Sequence, residues 1–180
     1  MKLTLKWPVV IITFLITLSI IYAANYWRQQ NLVMEPLREQ LLSLHIVEDV
    51  QIEGGREKNI SVFLGQVPHL ASAYQEILSV LQSRNEEGSS QITIIDRRNQ
   101  YLSSIYEKIH FAIMEGERQG NYTKMNAEIS LLLNEEDRLL DYSLTVDQER
   151  IYLQLIAEDA YLYEVIPIKN SSFVTQKAGR

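Results

Sequence analysis

The chain has 180 residues, with 17 Lys and Arg against 23 Asp and Glu, a net charge of −6, and no cysteine. The missing thiols exclude disulfides, thiol catalysis and thiolate metal sites. The acidic balance argues against nucleic acid as a partner, because its binders need a basic face.

Residues 7–27, WPVVIITFLITLSIIYAANYW, carry no charge. A helix of that length rises about 30 Å, the thickness of a bilayer's hydrocarbon core. Three fates compete for it. A helix buried in a soluble domain would show a polar face, and this run has none. A cleaved signal peptide would need a small residue two before the cut, where Ile21 or Tyr22 stands. The sequence therefore predicts an uncleaved transmembrane helix over 7–27, with Trp7, Tyr26 and Trp27 as membrane-interface anchors. Lys2 and Lys6 precede the helix and only Arg28 follows closely. The positive-inside rule then predicts a cytoplasmic N-terminus (1–6) and an extracytoplasmic remainder. Without Lys2 and Lys6 that remainder carries 15 basic and 23 acidic residues, a net of −8, which disfavours a surface lying on anionic lipid.

Residues 28–44 read as a juxtamembrane helix with Leu37, Leu41, Leu42 and Leu44 in a partial stripe. A hairpin follows over 46–67: Val50 and Ile52 alternate with polar residues, Gly54-Gly55 turns the chain, and Ile60, Val62 and Leu64 share a face. Leu70, Tyr74, Ile77, Leu78 and Leu81 mark one side of a helix over 69–84. A short strand is predicted at 91–96, then a helix capped by Asn99 with Leu102, Ile105, Tyr106, Ile109 and Ile113 on its buried side. The apolar pattern lapses around Gly116 and Gly120 and resumes at Met125, Ile129, Leu132 and Leu133. Two helices are expected between 98 and 140, the second capped by Thr123. The last part reads as a β-meander over 142–168, with turns at 147–150 and at Glu158-Asp159. In that reading Tyr142, Tyr161 and Tyr163 lie inward with Leu153 and Val165, and Tyr152, Ile156 and Leu162 point the other way. The polar tail 169–180 is expected to be disordered. The domain limits are 1–6, 7–27, 28–44, 45–168 and 169–180. The fold class is α+β: a transmembrane helix, then one domain with helices packed on a largely antiparallel sheet.

Over residues 37–96 the order α-β-β-α-β, with Val50, Ile52, Ile60, Val62, Leu64 and Gly65, resembles the small envelope domains known as BON and ring-building-motif domains. The long GGREKN connection and the meander from 142 depart from that pattern. The resemblance implies protein–protein assembly at a membrane, without catalysis.

Catalytic signatures are missing. His45, His69 and His110 are far apart and form no metal-binding motif. The acidic clusters fall in turns or on polar helix faces and not as a facing pair. No nucleophile elbow or phosphate loop occurs, and no cofactor or metal is expected. Two features suggest contacts. Arg97 and Arg98 after a strand suit an anion. Tyr152, Ile156 and Leu162 would form a partner surface if the second face of the meander were left open; cover by the chain's own helices is the competing expectation. The sequence thus predicts a single-pass, membrane-anchored extracytoplasmic interaction domain for assembly or regulation of a bacterial cell-envelope complex. It would meet the bilayer through 7–27 and bind another envelope protein or a second copy of itself. A ligand-sensing or solute-binding module is the alternative, and a cell-wall enzyme ranks third.

Overall fold

The computed structural model describes residues 7–29, 35–54, 58–84 and 90–169; within the first helix the side chains of residues 8, 9 and 27–29 lie outside the description. The elements run α1 (Trp7–Gln29), α2 (Glu35–Leu42), β1 (Val47–Gly54), β2 (Lys58–Leu64), α3 (Leu70–Ser83), β3 (Ser90–Ile95), α4 (Gln100–Gln119), α5 (Tyr122–Leu133), β4 (Asp141–Val146), β5 (Arg150–Ala157) and β6 (Ala160–Pro167). This is an α+β chain, and its order follows the periodicities of the sequence.

Local chemistry accounts for several boundaries. The Asn99 side chain accepts from Leu102 N at 2.9 Å and starts α4. Gly120 ends it at φ +65°, and Asn121 N donates back to Gly116 O at 3.1 Å, the left-handed stop that glycine makes cheaply. That stop gives two helices between 98 and 140. Asn121 caps α5 by accepting from Lys124 N at 3.2 Å; the expected cap, Thr123, already lies inside the helix. Gly54, at φ 97°, closes β1. Of the expected juxtamembrane helix over 28–44, residues 28 and 29 belong to α1 and α2 covers Glu35–Leu42; residues 30–34 lie outside the described residues. Of the tail, residues 170–180 lie outside the described residues.

The strands form two three-stranded sheets where one was expected. In the first, β1 pairs antiparallel with β2, and β2 pairs parallel with β3; in the second, β4, β5 and β6 make an antiparallel meander. Two cores result. Leu37 and Leu41 of α2, Val50, Ile60, Val62 and Leu64 of the first sheet, and Leu70, Tyr74, Ile77, Leu78 and Leu81 of α3 pack with Tyr152, Tyr161 and Tyr163 of the meander. Leu102, Ile105, Ile109 and Ile113 of α4 and Met125, Ile129 and Leu133 of α5 pack with Ile151, Leu153, Leu155 and Leu162. The meander is therefore a middle layer, covered on both faces by its own chain, which is why β5 is buried almost throughout. A sheet with two covered faces loses the apolar–polar alternation of a half-exposed one.

Register corrects the expected inward set. The two-residue turn pairs Ala157 with Ala160, so Ile156 pairs with Tyr161, Gln154 with Tyr163 and Tyr152 with Val165. Paired residues in β5 and β6 have opposite parity, and so do those in β4 and β5, where Tyr142 pairs with Leu155. Tyr152, Tyr161 and Tyr163 consequently share one face and Tyr142, Leu153 and Leu162 the other, because cross-strand partners point the same way.

Helix α1 contributes to neither core. Its side chains at Ile11, Ile12, Phe14, Leu15, Ile16, Leu18, Ile20 and Ile21 are all more than half exposed. Among the described residues no helix is long and apolar enough to cross a membrane, so the fold does not support the transmembrane part of the expected architecture over 7–27.

Candidate functional site

The middle layer is joined to the first sheet by polar side chains that a pattern of apolar residues does not disclose. The segment from Leu64 to Leu70 lies across the meander and is tied to it at every turn. Tyr161 Oη donates to Leu64 O at 3.0 Å. Tyr163 Oη donates to Gly65 O at 3.2 Å and accepts from Val67 N at 2.9 Å. Gln154 Nε2 donates to Val67 O at 2.7 Å, and its Oε1 accepts from Leu70 N at 3.1 Å. These bonds satisfy backbone groups that the loop could not otherwise pair in the interior. The rings add contact: Tyr161 stacks on Tyr163 with centroids 5.1 Å apart, and Tyr74 meets Tyr152 edge-on at 5.8 Å. Burial pushes the phenols of Tyr152 and Tyr163 up to about 12, because the interior disfavours phenolate. The meander tyrosines thus act as a tie between two half-structures.

Beside them the two sheets meet edge to edge. Tyr161 N donates to Arg97 O at 3.2 Å, an isolated antiparallel bridge that joins the end of β3 to β6. Asp96, with only 2% of its side chain exposed, accepts from Tyr163 N at 2.7 Å in place of a further ladder bond. Arg98 clamps that carboxylate with Nε at 2.8 Å and Nη2 at 2.7 Å, and reaches Glu164 through Nη1 at 2.9 Å. The hydrogen bond that Arg98 donates to Asp96, supported by the one to Glu164, holds the guanidinium above its ordinary value against the opposing effect of burial. Beside this clasp lies a cleft of about 270 Å³ lined by Tyr74, Ile92, Ile94, Arg98, Glu164 and Val165 among others.

Two other depressions occur. One of about 320 Å³ lies at the β4–β5 turn beside Gln75 and Arg150. There the Asp147 carboxylate is taken up by Glu149 N, Arg150 N and Tyr152 Oη, each at 2.7 Å, as a turn requires. The other, about 510 Å³, is an open dish on α4 around His110, Phe111 and Met114, with Phe111 80% exposed.

The anticipated residues do not gather into the sites expected of them. Arg98 faces two carboxylates, and an incoming anion would meet both; Arg97 is exposed and joins the bridge to Tyr161 through its backbone O. Tyr152 and Leu162, at 2% and 0% exposure, are buried on opposite faces of the meander, so with Ile156 they form no common surface. The own-chain cover that competed with a partner there accounts for both faces. Trp7 and Tyr26 are exposed on α1, at 70% and 59%; the Trp27 side chain lies outside the described residues. Among the described residues, no group of three or more His, Asp or Glu could hold a metal ion. Among the polar clusters that sequence reasoning missed is Asp96–Arg98. Its trace was an acidic residue closing a strand two positions before an arginine, but the partner that gives it meaning, β6, lies more than sixty residues on. The chain matches no family model, no curated protein and no solved structure.

Proposed function

We propose that the chain is a single-pass membrane protein with a cytoplasmic N-terminus. Its α+β domain would stand outside the cytoplasmic membrane and act as a protein-interaction module in assembly or regulation of a cell-envelope complex. The observation that carries this reading is α1. Eight large apolar side chains more than half exposed forgo on the order of 10 kcal/mol of burial, as much as the net stability of a whole domain. A bilayer recovers that energy, and it accommodates Thr17 too, whose Oγ1 donates to Thr13 O at 2.9 Å one turn back. Lys2 and Lys6 ahead of the helix support the orientation. The charge of −8 beyond it supports a domain held off the lipid surface. The α-β-β-α-β order over 37–96, with its likeness to BON and ring-building-motif domains, supports assembly over catalysis. The pairing of Arg98 with Asp96 and Glu164 supports assembly over an anion sensor built on that residue.

Membrane fractionation with protease added to intact spheroplasts tests the reading. The domain should be digested from outside while a tag at the N-terminus survives, and Ile16→Arg should shift the chain out of the membrane, at an insertion cost of about 2.5–3.5 kcal/mol. A full-length chain found soluble in the cytosol, or a domain shielded from protease, would refute it.

A further inference from the structure

We propose that the dish on α4 is the seat of the chain's own C-terminal segment, with Phe173 and Val174 packed against Phe111 and Met114. The inference goes beyond the assembly reading and does not depend on it.

Helix α4 carries apolar side chains on two sides. Ile105, Ile109 and Ile113 face the second core. Phe111 and Met114, with His110, Glu115, Arg118 and Gln119, line the dish on the other side. Phe111, Met114 and Arg118 recur at steps of three and four, which keeps them in one stripe along the helix. The dish measures about 510 Å³ and Phe111 is 80% exposed. An apolar ring thus stands open beside a depression that another apolar side chain fits.

The end of the described chain is held beside that stripe. Ile168 packs against the second core, and its N donates to Glu149 O at 2.7 Å. Lys169 N donates to Glu117 Oε1 at 2.9 Å, and Glu117 is only 4% exposed. Met114 and His110 stand three and seven residues before Glu117, about one and two turns away on the same side of α4. Lys169 therefore departs at the edge of the dish. The segment beyond it, NSSFVTQKAGR over 170–180, has Phe173 and Val174 as its only large apolar residues. From Lys169 to Phe173 an extended chain spans up to about 14 Å. Glu117 to Phe111 is about 9 Å of helix, so Phe173 reaches the dish with little slack. Lys177 then comes within reach of Glu107, which is exposed four residues before Phe111 in the same stripe. So polar a segment has too little apolar surface to order on its own; the dish supplies the partner it lacks.

The chain has no cysteine, so an introduced pair of thiols reads without background from the chain itself. The test uses full-length His110→Cys/Thr175→Cys in detergent-free lysates, with an N-terminal tag to follow the chain and copper-phenanthroline as oxidant. We expect a disulfide within one chain: a monomer on non-reducing gels whose thiols no longer take up a maleimide-linked polymer. Adding Phe111→Asp or Phe173→Asp should each slow its formation by about tenfold or more, by lowering the effective concentration of one thiol at the other. Phe111 lies outside both cores, and circular dichroism checks that each variant keeps its fold. A rate that either aspartate leaves unmoved would show a tethered segment with no seat. Failure to form the closed monomer, or disulfides to a second copy or another protein in its place, would show that the segment does not occupy the dish. Each of these results overturns the proposal. The readout is the same whichever compartment holds the chain, so it stands apart from the localisation test.

Discussion

Removing one hydroxyl tests the claim that tyrosines of the middle layer hold the two half-structures together. In Tyr163→Phe the ring keeps its stacking on Tyr161, so little packing is lost. What goes is an acceptor for Val67 N at 2.9 Å and a donor to Gly65 O at 3.2 Å. Val67 is 2% exposed and Tyr163 2%, so water does not readily replace the oxygen. An unsatisfied buried donor costs about 1–3 kcal/mol, and a lost carbonyl partner adds less because Gly65 is only partly buried. We expect about 2 kcal/mol of destabilisation, read as a fall in the midpoint of chemical denaturation with an unchanged slope. Tyr161→Phe, which strands a single acceptor, should cost about half as much. A loss below about 0.5 kcal/mol for Tyr163→Phe, or a larger loss for Tyr161→Phe, would refute the idea that these hydroxyls satisfy the 64–70 segment.

Gly116→Ala pits two effects against each other. The helix interior gains up to about 1 kcal/mol, but the new Cβ would lie 2.5 Å from Met125 Cβ, an overpacking of about 1–3 kcal/mol. A net loss near 1 kcal/mol is expected by thermal melting, and a gain would show that α4 and α5 separate freely. Arg98→Met leaves the Asp96 carboxylate buried without its clamp; because the Arg98 side chain is 37% exposed, we expect about 2 kcal/mol, short of the 3–5 typical of fully buried pairs, with equilibrium unfolding as the check. Alkali should unfold the domain in a defined window. Tyr152 and Tyr163 keep their protons in the folded state up to about 12 while the unfolded chain loses them near 10.0, so their contribution is intact below pH 10 and is lost as the pH rises toward 12. Phenolate absorbance at 295 nm that titrates fully near pH 10 without unfolding would contradict this.

Sequence by itself determined the kind and order of the elements. Leu70 to Leu81 repeats at the helical period, Ile60 to Leu64 at the strand period, and Asn99 and Gly120 punctuate α4 within a few residues of their own bonds. These are local properties, set by backbone geometry and side-chain spacing over one or two turns. The uncharged run of α1 belongs to the same class, since its length and composition need no partner to be read. Tertiary structure alone decided which faces meet. One residue of register in the meander moved Tyr152 from Leu162's face to that of Tyr161 and Tyr163, since a strand's side chains switch sides at each step. Tertiary pairing split the strands into two sheets, drew Arg98, read with Arg97 as a candidate anion contact, into a clasp with Asp96 on Tyr163, and left β3 and β6 facing across a cleft. Each of those outcomes depends on pairing between residues tens of positions apart, and the pattern along a single strand carries no record of its partner.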